Sequence, residues 1–235
     1  MLIDRLRTAL PPRALALAVL VLPAVALFGG AAAQHIAAAG AAPEIVAFDL
    51  FPNPKTLACL TAGGGKTPSV HAIVRRGKLN DTLALTLRNF KPGLDFDLFT
   101  VQRSNQLADG SADPAFKNFG LAWYQSDIHV PQQNERDDDG RDGATVTIRT
   151  ILLDQIFGFD PDVSLAPTNT FQLGFWFNNP ADAAPCGFDV TKPTPFNGEH
   201  KAGPLAFISR PNAVTGLGPL CSNPDTSKSP ATCNP

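Results

Sequence analysis

The sequence predicts an all-β fold, a two-sheet antiparallel sandwich of about seven to eight strands with long loops. Eight short apolar or alternating runs are separated by turn-forming Gly, Pro, Asn and Asp. No segment carries a sustained helical stripe with caps at its ends, and the packing residues are stiff, with 16 Phe against one Met. A parallel sheet would need helices between its strands, so a closed barrel is the remaining alternative.

The first half of the domain carries four predicted strands. EIVAFDLF (44–51) ends at the turn-forming NPK, and VHAIVRR (70–76) meets TLALTLRNF (82–90) across the short connection GKLND, which predicts a hairpin. DFDLFTVQ (95–102) follows the turn KPGL. Alternation is clearest in 82–90, where three leucines share one face: Leu83, Leu85 and Leu87.

The second half carries the other four. FGLAWYQSDIHV (119–130) follows a long polar loop, and ATVTIRTILL (144–153) follows an acidic one. TFQLGFWF (170–177) and PLAFISR (204–210) complete the set. LLDQIFGF (152–159) is ambiguous, because its apolar spacing also fits a helical turn.

The first 33 residues have the features of a secretory signal peptide. Their net charge is +2, an apolar run follows over residues 14–28, and Ala31 and Ala33 fit a small-residue cleavage site before Gln34. The run is 15 residues long and contains a proline, whereas a membrane-spanning helix needs about 20 residues. The sequence therefore predicts a secreted protein, extracellular or periplasmic, with no membrane span after signal removal.

The rest of the chain is predicted to form a single domain. Removal of the signal leaves 202 residues with a net charge of −4. We expect an Ala-rich linker at 34–43, the β-sandwich domain at 44–219 and a polar C-terminal tail at 220–235. Mild acidity without a basic stripe argues against nucleic acid as a partner.

All four cysteines follow the predicted signal, at positions 59, 186, 221 and 233. An even number in an exported chain predicts two disulfides, for which three pairings are possible. Cys221 and Cys233 flank a polar stretch that needs a tether to become ordered, which favours Cys221–Cys233 together with Cys59–Cys186. No C-x-x-C pair is present and no His lies near a Cys, so a zinc site is not expected.

One corner of the chain resembles a known family. The stretch Phe90-Lys-Pro92-Gly-Leu94-Asp-Phe96 is similar to the E–F corner of fibronectin type III domains, which reads Leu-x-Pro-x-Thr-x-Tyr. Leu94 replaces the usual Thr, and Phe96 lacks the hydroxyl of a tyrosine corner. The resemblance covers about fifteen residues and implies an immunoglobulin-like sandwich. The chain is also similar to exported bacterial β-proteins of unassigned function, in phrases such as FGLAWYQSD and PFNGEHKAG.

The acidic loop before residue 144 is the stretch most like a metal site. Glu135, Asp137 and Asp139 alternate before Gly140, as oxygen ligands do in the first half of a calcium loop. Val146 stands where a bidentate Glu would close such a loop. The two interpretations are therefore a Ca²⁺ site and a solvated hairpin loop.

Asp127 and His129 are two residues apart in a predicted strand and so share a face. A carboxylate and an imidazole can bind a metal or transfer a proton, with further ligands from His71 or His200. This pattern gives the alternative function, a metal-dependent hydrolase. A polar strand end that reaches solvent explains the same pattern without a function.

An aromatic surface is the other candidate site. If Phe171, Leu173, Phe175 and Phe177 face the core, then Gln172 and Trp176 point the other way. In the predicted strand 119–130, the same alternation with Trp123 on the core face turns Tyr124 and Ser126 outward. Were these two strands adjacent, Trp176 and Tyr124 would form a platform for a sugar ring, with Gln172 and Ser126 as hydrogen-bonding groups. Alternatively, segment 178–203 folds over this face and buries it.

No nucleophile, phosphate-binding or zinc-protease motif occurs in the sequence. The preferred interpretation is therefore a secreted, non-catalytic binding or envelope-associated module whose ligand is a glycan or a protein.

Overall fold

The structure is a computed structural model, and it describes residues 45–62, 65–132, 144–156, 159–160, 163–164, 168–169, 171–192, 194 and 202–234. All of these residues lie within 41–235, which forms one compact unit of the chain. The signal peptide, the linker and the calcium ligands Glu135, Asp137 and Asp139 lie outside the described residues, so they remain predictions.

All eight predicted strands are present, with ends that differ by at most three residues. In chain order, the strands are β1 (Ile45–Pro52), β2 (Ser69–Arg75), β3 (Asp81–Phe90), β4 (Asp95–Val101), β5 (Ala122–His129), β6 (Ala144–Leu152), β7 (Gln155–Ile156), β8 (Phe159–Asp160), β9 (Val163–Ser164), β10 (Thr168–Asn169), β11 (Gln172–Phe177), β12 (Leu205–Ser209), β13 (Pro224–Asp225) and β14 (Thr232–Cys233). A short helix, α1, spans Leu57–Leu60, and a 3₁₀-helix spans Pro180–Cys186. The ambiguous stretch 152–159 contributes the short strand β7.

The fold is all-β, and the eight long strands form one antiparallel sheet. Their order is β5-β4-β11-β12-β1-β2-β3-β6, and the edge strands β5 and β6 lie against each other, so the sheet is nearly closed. The predicted two-sheet, immunoglobulin-like sandwich is not confirmed. Alternation identifies the buried side of each strand but carries no information about the order in which strands pair.

A glutamine side chain connects the two edge strands. The Gln125 amide on β5 donates from Nε2 to the Leu153 carbonyl oxygen at 2.7 Å and accepts at Oε1 from the Leu153 N–H at 2.8 Å. The Thr100 hydroxyl also donates to that carbonyl oxygen, at 3.0 Å. The Gln125 amide therefore bonds to the Leu153 peptide as a neighbouring strand would.

The main core fills the inner side of the sheet, which is the side lined by the β3 leucines. Leu83, Leu85 and Leu87 are at most 1% exposed, as their alternation predicts. Five phenylalanines pack with them, and the Phe175 and Phe207 rings stack at 5.4 Å. The five are Phe90, Phe96, Phe175, Phe177 and Phe207.

The corner that resembles fibronectin type III domains is buried in this core. Phe90, Leu94 and Phe96 are at most 1% exposed, and the Phe90 and Phe96 rings meet edge to face at 5.8 Å. Gly93 takes a positive φ of 79° between them, a conformation that favours glycine.

Two disulfides have the pairing that the sequence favours. Cys59–Cys186, here the long-range disulfide, joins α1 to the 3₁₀-helix across 127 positions. Cys221–Cys233, the C-terminal disulfide, closes a loop of 12 positions.

The first residue of the predicted tail, Leu220, is itself attached to the domain, one position before the C-terminal disulfide. Leu220 is 3% exposed, and its carbonyl oxygen accepts a hydrogen bond from the Arg76 guanidinium. The same guanidinium is bonded to the carboxylates of Asp81 and Asp154. Burial opposes the charge on Arg76, but the two carboxylates outweigh it and raise its pKa.

Candidate functional site

Four ionisable side chains form a square on the outer side of strands β4 and β5. Asp95 lies directly opposite His129, and Asp97 lies directly opposite Asp127. Directly opposed residues in an antiparallel pair have Cβ atoms about 4.5–5.5 Å apart. Phe96 points to the core between the two β4 aspartates, so both carboxylates lie on the outer side.

At one side of the square, the His129 Nδ1 atom lies 2.7 Å from the Asp95 Oδ1 atom, and both side chains are about half exposed. Asp182, on the 3₁₀-helix, contributes to the charge here. Burial raises the pKa of the Asp182 carboxyl, the Lys91 charge opposes this rise, and the Asp95 charge adds to it.

At the other side, Asp97 is only 5% exposed. Its Oδ1 atom accepts a hydrogen bond of 2.7 Å from Asn178 Nδ2, just after β11. This bond offsets part of the cost of burying the carboxylate. Asp97 is therefore held in place, whereas Asp95 and His129 are accessible.

Tyr124 is the aromatic side chain next to this square. Its hydroxyl donates to Asp127 Oδ1 at 2.8 Å, and its ring packs edge-on against Phe99 at 5.8 Å. The side chain nevertheless remains 48% exposed. Partial burial, the hydrogen bond to Asp127 and the charges of Asp127 and Asp97 raise the pKa of Tyr124 to about 12. Asp95, Asp97, Tyr124, Asp127 and His129 are together called the Tyr124 site below.

A β-bulge brings Tyr124 and Asp127 to the same side of the sheet. Residues three apart face opposite ways in a regular strand, but Ser126 pairs with Leu98 and Tyr124 pairs with Phe99, which leaves Gln125 as an extra residue. Asp127 therefore takes the place beside Tyr124 that alternation assigns to Ser126. The Ser126 hydroxyl bonds instead to the backbone oxygen of Asp127.

Trp176 lies on the outer side, as expected, but it is 1% exposed. Its strand is not adjacent to β5, because β4 lies between them. The Trp176 ring makes edge-to-face contacts with Phe99 at 5.7 Å and Phe119 at 5.0 Å. The ring that would have formed half of the platform is thus covered, by Phe119 and by Ala202 from the end of segment 178–203.

Gln172 is also buried, at 3% exposure, and its Oε1 atom accepts a hydrogen bond from the Ser209 hydroxyl at 2.6 Å. Trp123, expected on the core face, is 39% exposed. Of the four residues predicted to bind a ligand, only Tyr124 presents a large exposed surface.

The predicted metal ligands are not brought together. His71 pairs with Asp49 at 2.7 Å on strands β2 and β1, which are separated from β5 by several strands. His200 lies outside the described residues. Within the residues described, no three His, Cys, Asp or Glu side chains are placed to hold a metal ion, and no helix is long and apolar enough to cross a membrane.

Asp95, Asp97 and Phe99 were not among the site residues predicted from the sequence. A signal for the two aspartates was present, since Asp-x-Asp in one strand faces Asp-x-His in the next strand of the chain. The arrangement offers a half-exposed aromatic ring with carboxylate acceptors beside it, which suits a ligand that has an apolar face and hydroxyl groups. Comparison with protein-family models, curated proteins and solved structures found no match to this chain.

Proposed function

We propose that this chain is an exported, non-catalytic binding module that recognises a carbohydrate at the Tyr124 site. The observation that carries the proposal is the half-exposed Tyr124 ring, which is fixed by Phe99 on one edge and by Asp127 at its hydroxyl. A ring that is already immobilised loses little conformational entropy when a ligand stacks on it.

The charges around the ring favour a neutral or amino sugar. Asp95 and Asp127 can accept hydrogen bonds from sugar hydroxyls, and the His129 imidazole provides a further polar contact. Asp97 and Asp182 add negative charge nearby. An acidic sugar would be repelled by this set of carboxylates.

Two features support export. Residues 1–33 have the pattern of a signal peptide. Two disulfides are typical of proteins that fold in an oxidising compartment.

One observation favours the alternative, a metal-dependent hydrolase that uses Asp127 and His129. The His129 Nδ1 atom is held by Asp95, which is how the second nitrogen of a metal-bound histidine is commonly oriented. Elemental analysis of protein purified without chelator separates the two functions. A stoichiometric transition metal whose content falls in His129→Ala would favour the hydrolase.

The carbohydrate proposal is tested on an array of neutral and amino sugars, followed by calorimetric titration of the best oligosaccharide. We expect Tyr124→Ala to weaken binding at least tenfold and Tyr124→Phe to weaken it only a few fold, because the stacking ring is retained. Trp123→Ala is the matched control, since Trp123 is also exposed but points to the other side of β5. An array without signal, or equal affinities for Tyr124→Ala and wild type, would refute the proposal.

A further inference from the structure

Three arginines on the outer side of the sheet, away from the Tyr124 site, have exposed guanidinium groups with no partner among the residues that the structure describes. They are Arg75 on β2, Arg88 on β3 and Arg149 on β6. The other arginines described are each hydrogen-bonded through their side chains: Arg76, Arg103 and Arg210. Among the described residues, the arginines without a partner therefore all lie on one face of the sheet, in a chain whose net charge is −2.

An apolar floor lies between two of these arginines. In one row across the three strands, Ile73, Ala84 and Arg149 lie side by side. In the neighbouring row on the same side of the sheet, Arg75, Thr82 and Ile151 lie side by side. The small Ala84 side chain leaves a depression of about 410 Å³. From strand spacing and rise, the Cα atoms of Arg75 and Arg149 are about 12 Å apart across it.

The third arginine lines a separate depression further along β3. A second depression, of about 250 Å³, is lined by Thr86, Arg88 and the Asp49–His71 pair. The Asp49 carboxylate lies 2.7 Å from the His71 Nδ1 atom and adds one negative charge at this end of the face. From Thr82 to Arg88 the outer side of β3 is about 20 Å long. The shape and the spacing of charge fit an elongated ligand with repeated anionic groups.

A polysaccharide fits this face better than a peptide. Strand β3 is hydrogen-bonded to β2 on one side and to β6 on the other, so its backbone has no free ladder positions for an added strand. A peptide lying on the face would bury its own N–H and C=O groups without partners. A sugar ring instead places an apolar face on Ile73 and Ile151 and keeps its outer hydroxyls in water.

We infer that the outer side of β2, β3 and β6 binds an acidic polysaccharide, with Arg75 and Arg149 holding its anionic groups over the Ile73–Ala84 floor. Planar guanidinium groups bind carboxylates and sulfates with paired hydrogen bonds. The two depressions and their arginines are together called the basic groove. The basic groove does not include the Tyr124 site, and its binding does not depend on the function proposed there.

The test measures binding of polygalacturonate to the full chain with both disulfides formed, by biolayer interferometry at low and high salt. Fully methyl-esterified polygalacturonate serves as the uncharged polymer, and poly-glutamate as the acidic peptide. The groove variant is Arg75→Glu with Arg149→Glu. The control, Lys55→Glu with Lys117→Glu, changes the net charge equally at exposed lysines outside the groove.

We expect polygalacturonate to bind the wild-type chain, and to bind it more weakly at high salt. The groove variant should bind polygalacturonate at least tenfold more weakly than wild type. The affinity of the control variant should stay within twofold of wild type. The methyl ester and poly-glutamate should each bind at least tenfold more weakly than polygalacturonate. An unchanged melting temperature in the groove variant shows that lost binding is not lost folding. No binding, equal loss in both variants, equal binding of the ester, or equal binding of poly-glutamate would each overturn the inference.

Discussion

Replacing Gln125 with alanine should loosen the seam between the two edge strands. The Gln125 amide makes two short hydrogen bonds to the Leu153 peptide, at 2.7 and 2.8 Å, and a longer one to the Thr100 hydroxyl at 3.1 Å. The seam is solvent-accessible, since Leu153 is 44% exposed, so water can replace the lost partners. A net contribution of about 1 kcal/mol per bond then predicts a loss of about 2 kcal/mol of unfolding free energy from the two short bonds.

A second substitution at the same position distinguishes hydrogen bonding from packing. Gln125→Glu keeps the shape and the acceptor for the Leu153 N–H but loses the donor and places a carboxylate beside the Leu153 carbonyl oxygen. The folded state should therefore raise the pKa of this Glu above its unfolded value of about 4.3. Its stability relative to wild type should be best below that pH and decline as the pH rises through the folded pKa.

The assay is urea unfolding followed by circular dichroism, with thermal melts of the same proteins. For a domain of this length, 2 kcal/mol corresponds to a lower melting temperature by about 4–8 °C. Hydrogen exchange at the Leu153 amide should accelerate in Gln125→Ala, because that N–H loses its acceptor. If Gln125→Ala unfolds within about 0.5 kcal/mol of wild type, or Gln125→Glu shows no pH-dependent loss, the amide does not hold the seam.

Three further predictions concern other parts of the molecule. Removing the long-range disulfide should lower the unfolding free energy by about 5 kcal/mol, and removing the C-terminal disulfide by about 3 kcal/mol, because the first closes a longer loop of the unfolded chain. The reverse order in urea unfolding would contradict this prediction. Tyr124 is the single tyrosine, so phenolate absorbance should titrate near pH 12 in wild type and at a lower pH in Asp127→Asn, where burial still raises the pKa but the hydrogen bond to the carboxylate is lost. Wild-type stability should fall as the pH rises from the unfolded pKa of about 10 to the folded pKa of about 12, and equal phenolate midpoints in the two proteins would contradict the hydrogen bond. Arg76→Ala should cost about 3 kcal/mol in the same urea assay, because it leaves its two carboxylate partners without a cation, and a cost below about 1 would show that they are solvated.

The strands could be predicted from the sequence because their signal is local. Leu83, Leu85 and Leu87 alternate with polar or small residues and are all buried on one side, and Phe175 and Phe177 are buried on the same side of the sheet. The order of the strands depends on which edges pair over long sequence separations. One such pairing places β12 between β11 and β1, and neither hydrophobicity nor turn chemistry in those segments encodes it.

The candidate site could be predicted only in part, for a similar reason. Tyr124 was correctly placed on the outer side, but Trp176 is covered by Phe119, which comes from a loop more than fifty residues earlier in the chain. The sequence predicts Phe119 as the first residue of the strand 119–130, but β5 begins at Ala122 and Phe119 lies before it. The pairing of Asp97 with Asp127 was accessible in principle, because their strands follow one another in the chain.

The bulge at Gln125 connects the architecture with the proposed site. An extra residue in β5 is excluded from the regular ladder with β4, so the Gln125 side chain is free to bond to Leu153 and draw β6 to the open edge. The same extra residue reverses the alternation, so that Tyr124 and Asp127, three positions apart, face the same way. A strand without the bulge would place Asp127 on the side opposite Tyr124, and the phenol would lose its acceptor. Closure of the sheet and formation of the Tyr124 site therefore depend on the same local irregularity, which is why strict alternation predicted Ser126 where the structure has Asp127.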